Sequence, residues 1–331
     1  METLTVPSNP VADRIIKLKQ EQNAVFLAHY YEDGPIQDLA DYVGDSLYLA
    51  QMGAKSTAPV LLMAGVVFMA ESVKILSPKT RVLVPDLKAG CSLVDSSPYD
   101  DYLRWRLQHP DGIAVTYINS SAAVKSISDI ICTSSNAEKI IESIPKNRPI
   151  LFGPDKNLGS YLSKKTGREM ILWPGACEVH VLFSARKLFE LKENHPDALV
   201  LAHPECTEPV LQYADVIGST SRLLKEVEQN PRKKFIIATE DGIFHQMRKL
   251  RPEANLIQAP AEGSCACNQC PYMKLNTLEK IEQALDTLQP EILLPPQLIE
   301  RAKIPLERML EISAGYDVKW PTAFAPTTVS I

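Results

Sequence analysis

The stretch GSCACNQCPYM, residues Gly263 to Met273, places three of the chain's seven cysteines within six residues. Thiolates are soft metal ligands and redox groups, so metal or redox chemistry has its first foothold here. Local spacing alone does not choose between a metal knuckle, a redox switch and small buried residues. Three further sets of reactive types recur as i, i+2 pairs: His29 with Tyr31, Tyr117 with Asn119, and His203 with Glu205. These supply acids, bases and hydrogen-bond donors, and residues two apart on an extended chain project together. The openings GDS, CTSS and GSTS add Ser46, Ser134, Ser135, Ser219 and Thr220. Such residues cap helices, and their hydroxyls also suit carboxylate or phosphate.

The elements that must position these groups form a repeat. AVFLAH (from Ala24), AVTYIN (from Ala114) and ALVLAH (from Ala198) are apolar strands ending in the three pairs. Each leads to a small-residue turn opening a helical stretch, at Gly44, Cys132 and Gly218. A second apolar strand follows (VLLMAG, PILFGP, FIIATE), then a helix, then a short closing strand (RVLVPD, EMILWPG, NLIQAP). Gly44 to Cys132 is 88 residues and Cys132 to Gly218 is 86; Ala64 to Phe152 and Phe152 to Ala238 repeat the same offsets. Alternating strand and helix with near-continuous apolar strands predicts an α/β protein with parallel sheets and right-handed crossovers. Ligands then bind beyond the carboxyl ends of the strands. The expected units are 1–90, 91–176 and 177–264, three similar domains about a pseudo-threefold axis. Residues 265–331, a cysteine loop, helices with Asn276 as N-cap and an irregular tail, pack on the first unit.

Composition narrows the function. With 45% hydrophobic and 23% charged residues and a net charge of -5, the chain reads as an ordinary globular protein without the basic face that nucleic acid or an anionic membrane requires. Its longest apolar run, Val60 to Ala70, is too short for a bilayer span. The N-terminal residues lack a secretory pattern, and an odd cysteine count suits a reducing, cytoplasmic setting.

Within the repeat the cysteines fall into order. Cys91 follows the first closing strand, Cys177 the second, 86 residues on, and the cluster Cys265, Cys267 and Cys270 the third. Three units around an axis bring one thiol from each to a common centre. Three thiolates without a fourth ligand point to a [4Fe-4S] cluster with one iron open as a Lewis acid, with zinc as the competitor. Repeat arithmetic favours Cys265 as the third ligand. Cys132 replaces glycine in a turn and Cys206 has no counterpart, so both read as structural.

AHYYEDGPIQDLADYVGDSLYLA, VTYINSSAAVKSISDIICTSSNA, ILFGPDKNLGSYL, ILWPGACEVH, HPEC, ADVIGSTS, ATEDGIFHQM and CPYMKLNTLEK together resemble the quinolinate synthase family of the NadA type, across nearly the whole chain. The resemblance implies three similar α/β domains around a [4Fe-4S] cluster and condensation of iminoaspartate with dihydroxyacetone phosphate to quinolinate, with release of phosphate and water. It implies Cys91, Cys177 and Cys270 as ligands, the last because it precedes Pro-x-Met. It also implies a supply of iminoaspartate from L-aspartate oxidase. One version of the family pattern reads CxxCxxC where this chain reads CxCxxC, with serine at 264, so a regulatory disulfide in its usual pairing is not expected. On this reading Tyr31 and Glu205 transfer protons, His203 and His29 donate or position, and Tyr117 and Asn119 orient the iminoaspartate part. Ser46, Ser134, Ser219 and Thr220 hold the anionic groups. The rivals are another open-cluster hydro-lyase acting on a hydroxy acid, and a redox module using the CxCxxC segment alone.

Overall fold

The structure, a computed structural model, describes residues 9–262 and 268–324. Cys265, Cys267 and the last residues of the tail lie outside the described residues. Among the described residues, twelve strands form three separate four-stranded sheets. The first contains β1 (Ala24–His29), β2 (Tyr42–Gly44), β3 (Val60–Ala64) and β4 (Arg81–Leu83); the second β5 (Ile113–Tyr117), β6 (Ile130–Cys132), β7 (Ile150–Gly153) and β8 (Ile171–Leu172). The third contains β9 (Leu199–Ala202), β10 (Val216–Ile217), β11 (Lys234–Ala238) and β12 (Asn255–Gln258). Every pairing is parallel, and the strand order repeats as β2-β1-β3-β4, β6-β5-β7-β8 and β10-β9-β11-β12.

The sequence pattern predicts three strands per unit; the structure adds a fourth, the edge strands β2, β6 and β10. Two or three residues are too few to show a period, yet these strands run straight into the small-residue turns and set their height. Register makes this concrete: His29 pairs with Gly44, and Tyr117 with Cys132. In each sheet the serine-bearing opening therefore leaves one edge strand, the cysteine segment leaves the opposite edge, and the polar pair leaves the strand beside the first edge.

The central strands are buried on both faces. Phe26 on β1, Phe152 on β7 and Phe235 on β11 have no exposed surface; truncating one to alanine costs roughly 3–5 kcal/mol. One core cluster runs through the first two units, and separate clusters centred on Val200 and on Ile237 fill the two faces of the third sheet. The helix Leu278–Thr287 packs on Pro10–Glu21, against the first sheet. The longer helix Pro296–Ala314 lies against Ala122–Ser126, Ala137–Ser143 and β6 of the second unit, and against Val67–Leu76 of the first. The C-terminal segment thus spans two units rather than the first alone. Thr277, not Asn276, caps Leu278–Thr287 by accepting from Lys280 N. Asn276 turns inward and donates to Glu32 Oε1 at 2.7 Å and to the Gly65 carbonyl at 2.8 Å. Among the described residues no helix is long and apolar enough to cross a membrane.

Candidate active site

The carboxyl ends of the three sheets face a single cavity. His29, Tyr31, Ser46, Tyr117, Asn119, Ser134, His203, Glu205 and Thr220 line it, together with Cys91, Cys177 and Cys270. Among the described candidates, Ser135 and Ser219 are not on the wall; Ser219 is the N-cap of Thr220–Gln229, its Oγ accepting from Arg222 N at 3.3 Å. Cys132 and Cys206 are fully buried outside the lining, as structural cysteines should be.

The three cysteines share one local design. Each precedes a short helical turn whose backbone N–H groups are directed at the sulfur: those of Leu93 and Val94 at Cys91, of His180 at Cys177, and of Tyr272 and Met273 at Cys270. Burial outweighs these bonds, pushing the Cys91 thiol up to about 12, that of Cys270 to about 11, and that of Cys177 well above its ordinary value. Three partly buried thiols that meet in one cavity, each with a raised pKa, become thiolates most readily when a cationic centre joins them. The donor set therefore fits a thiolate-bound metal centre.

Cys177 N donates to Asp155 Oδ2 at 3.1 Å, and the other oxygen of that buried carboxylate caps Leu158 N at 2.7 Å. Cys270 N donates to Glu240 Oε1 at 3.3 Å. Four residues on, Lys274 Nζ reaches the Tyr31 carbonyl at 2.9 Å and Asp33 at 2.8 Å, tying the loop to the first unit as well as the third.

The polar wall is connected across unit boundaries. Tyr31 OH lies 2.7 Å from Thr239 Oγ1, which lies 2.9 Å from His180 Nε2; His180 Nδ1 lies 2.8 Å from Glu205 Oε2 and 3.2 Å from Cys177 Sγ. An ionised carboxylate only accepts, so in the neutral ring the proton sits on Nδ1 and Nε2 accepts from Thr239, whose oxygen accepts from Tyr31. The bonds therefore run in one direction, from Tyr31 to Glu205. Tyr117 also hydrogen-bonds Glu205, and His203 Nε2 meets Ser134 Oγ at 3.2 Å.

Burial drives the electrostatics. It lowers His29 to about 4 and His203 to about 3, so both imidazoles are neutral at neutral pH. Tyr31 and Tyr117 are held well above their ordinary value, again by burial and then by the nearby Glu205 charge. Burial opposes ionisation of Glu205, but His203, His180 and Tyr117 outweigh it and hold the carboxyl below its usual range. Since His203 is itself uncharged, the direct contacts from His180 and Tyr117 carry the ionised state.

His180, Thr239 and Asp45 were not among the predicted site residues. His180 lies three residues beyond Cys177, within reach of a proximity argument. Thr239 occupies the repeat position of Gly65 and Gly153, offsets 88 and 86, so a hydroxyl among equivalent glycines was the available signal. Cys177, His180 and Glu205 also bring one ligand atom each within 4.8 Å of one another. The hydrogen bonds at both nitrogens already account for His180, and only one of the three convergent cysteines belongs to that group.

Comparison with known proteins shows the family. Residues 13–311 match the family described as NadA, quinolinate synthetase A protein. A quinolinate synthase of Microcystis aeruginosa is 54% identical over 299 residues, covering 90% of this chain and 94% of the relative. That of Nostoc punctiforme is 53% identical over 90% of this chain and 92% of the relative, and that of Chloroherpeton thalassium 52% identical over 94% and 97%. With identity above one half over nearly the full length, and three cysteines converging among the three sheets, the chain belongs to the NadA family of quinolinate synthases.

Proposed function

We propose that the chain condenses iminoaspartate with dihydroxyacetone phosphate to quinolinate, releasing phosphate and water, as a cytoplasmic step of NAD biosynthesis. The observation that carries this reading is the shared design of Cys91, Cys177 and Cys270, one beyond the closing strand of each sheet, facing one cavity with the three polar pairs. Those cysteines would hold a [4Fe-4S] cluster, which supplies a Lewis-acidic iron with a position free for substrate.

The chain's own groups do the rest. Glu205, ionised and braced by His180 and Tyr117, takes a proton from the substrate. Tyr31, kept as a neutral phenol and held in place by Thr239, gives one to a departing oxygen. His29 and His203, neutral at neutral pH, position and donate rather than act as cations. Asn119 Oδ1 is buried with no protein partner, so it is free for a substrate donor, and Tyr117 orients the same iminoaspartate part. Ser46, Ser134 and Thr220 offer hydroxyls to carboxylates and phosphate. An L-aspartate oxidase would supply the iminoaspartate.

The test is iron and acid-labile sulfide per chain after anaerobic purification, in the parent and in single alanine variants at Cys91, Cys177, Cys265, Cys267 and Cys270. Iron and sulfide in equal amounts, lost only at Cys91, Cys177 and Cys270, is the expected result. Loss at Cys265 instead of Cys270 would replace the third ligand, and zinc without sulfide would overturn the cluster.

A further inference from the structure

One carboxylate oxygen joins all three units at the cavity. Asp45 Oδ2, from the first unit, accepts from Ser135 Oγ of the second at 2.6 Å and from Ser221 Oγ of the third at 2.6 Å. Its other oxygen accepts from Tyr48 N at 2.9 Å and caps the helix Ser46–Lys55. Each member of this junction is the sequence neighbour of a cavity-lining hydroxyl: Asp45 of Ser46, Ser135 of Ser134, Ser221 of Thr220. Asp45 is buried, 7% exposed, Ser221 is half-buried and Ser135 lies at the surface; the Tyr30 hydroxyl also bonds Ser221.

We propose that Asp45 is a positioning residue that sets the spacing of Ser46, Ser134 and Thr220, and hence the grip on the anionic groups of the substrates. The three hydroxyls stand on three separate sheets, and each leaves the edge strand opposite the one that leads to the cysteines. A thiolate-bound centre could thus fix one edge of each sheet and leave the hydroxyl edges free to part. Asp45 closes that side. An uncapped helix alone would not require both serines, because the cap uses Oδ1 and the junction uses Oδ2.

The inference rests on the reading of Ser46, Ser134 and Thr220 as substrate-holding groups, and the experiment separates the two. In the iron-loaded enzyme, Ser135→Ala/Ser221→Ala removes the junction and keeps the Tyr48 cap, while Asp45→Asn keeps an oxygen for the cap and supplies a second variant should the first fold poorly. Without substrate, backbone amides of residues 133–136 and 219–222 are expected to exchange about tenfold faster, with the central strands unchanged. KM for dihydroxyacetone phosphate is expected to rise about tenfold with kcat changed less than about threefold. Unchanged exchange in both variants overturns the junction. Faster exchange with unchanged KM overturns the positioning role if Ser46→Ala/Ser134→Ala raises KM; if that variant also leaves KM unchanged, the substrate reading of these hydroxyls is what fails.

Discussion

His180 Nδ1 sits 2.8 Å from Glu205 Oε2, and the same nitrogen lies 3.2 Å from Cys177 Sγ. One imidazole therefore touches both the acid–base carboxylate and a cysteine assigned to the metal centre. Glu205, held ionised on the cavity wall, is the proposed general base. Glu205→Gln should lower kcat by about 100-fold or more while iron and sulfide per chain stay at the parent's level. Near-normal turnover with an intact cluster would remove Glu205 from the acid–base role.

The chain of bonds from Tyr31 through Thr239 to His180 predicts a graded response. Thr239→Val strands both the Tyr31 hydroxyl and His180 Nε2, at about 1–3 kcal/mol for each unpaired buried group. Thr239→Ser keeps the bridge. The valine variant should lose roughly tenfold or more in kcat and the serine variant much less. Equal losses in both, measured by steady-state kinetics, would mean that the methyl group and not the hydroxyl matters.

The pairs at the strand ends, the three-unit register and two of the three cysteine corners were legible because each recurs at matching offsets in a long chain. What escaped has physical reasons. The edge strands Tyr42–Gly44 and Val216–Ile217 carry too few residues for a pattern. Asp45 reads locally as an N-cap, which it is, and its second oxygen serves residues 90 and 176 positions away. Asn276 resembles a cap one residue too early, but tertiary contacts with Glu32 and Gly65 claim its amide. At the third corner the repeat arithmetic gives Cys265, which lies outside the described residues, whereas the proposed ligand is Cys270, in a stretch without regular structure where insertions are least constrained.

Glu32 makes a stability prediction with a definite sign. Burial, reinforced by the charges of Asp33 and Glu240 against the Asn276 hydrogen bond and the Lys274 charge, raises its carboxyl to about 8. A raised carboxyl means the folded chain keeps a proton that the unfolded chain releases above its ordinary value of 4.5. Its contribution is full below that value and is lost as pH rises through about 8, at up to about 1.4 kcal/mol per pH unit. Glu32→Gln mimics the protonated form. In denaturant titrations the variant should match the parent at acid pH and exceed it increasingly towards pH 8. Parallel curves across the range would show that Glu32 is ionised in the fold.

Lys125 is a buried amine beside the turn that carries Asn119. Its ammonium is fully buried, donates to the Ile118 carbonyl at 2.9 Å and to that of Ser120, and stands 5.4 Å from the Phe68 ring on the cavity wall. It thereby clamps the turn that carries Asn119. Glu71, whose Oε2 accepts from Ala122 N at 2.8 Å, is its nearest counter-charge by electrostatic influence. Replacing only the lysine removes both the carbonyl clamp and the cation nearest the half-buried Glu71, a loss of about 1–3 kcal/mol. Lys125→Met should therefore destabilise by that order, while Lys125→Met/Glu71→Gln should recover a substantial part. A double-mutant cycle in denaturant measures the coupling directly. Strict additivity of the two changes would mean that the carbonyl clamp, and not the charge pair, is what the lysine contributes; in that case Lys125→Arg, too large for the same clamp, would be as damaging as methionine.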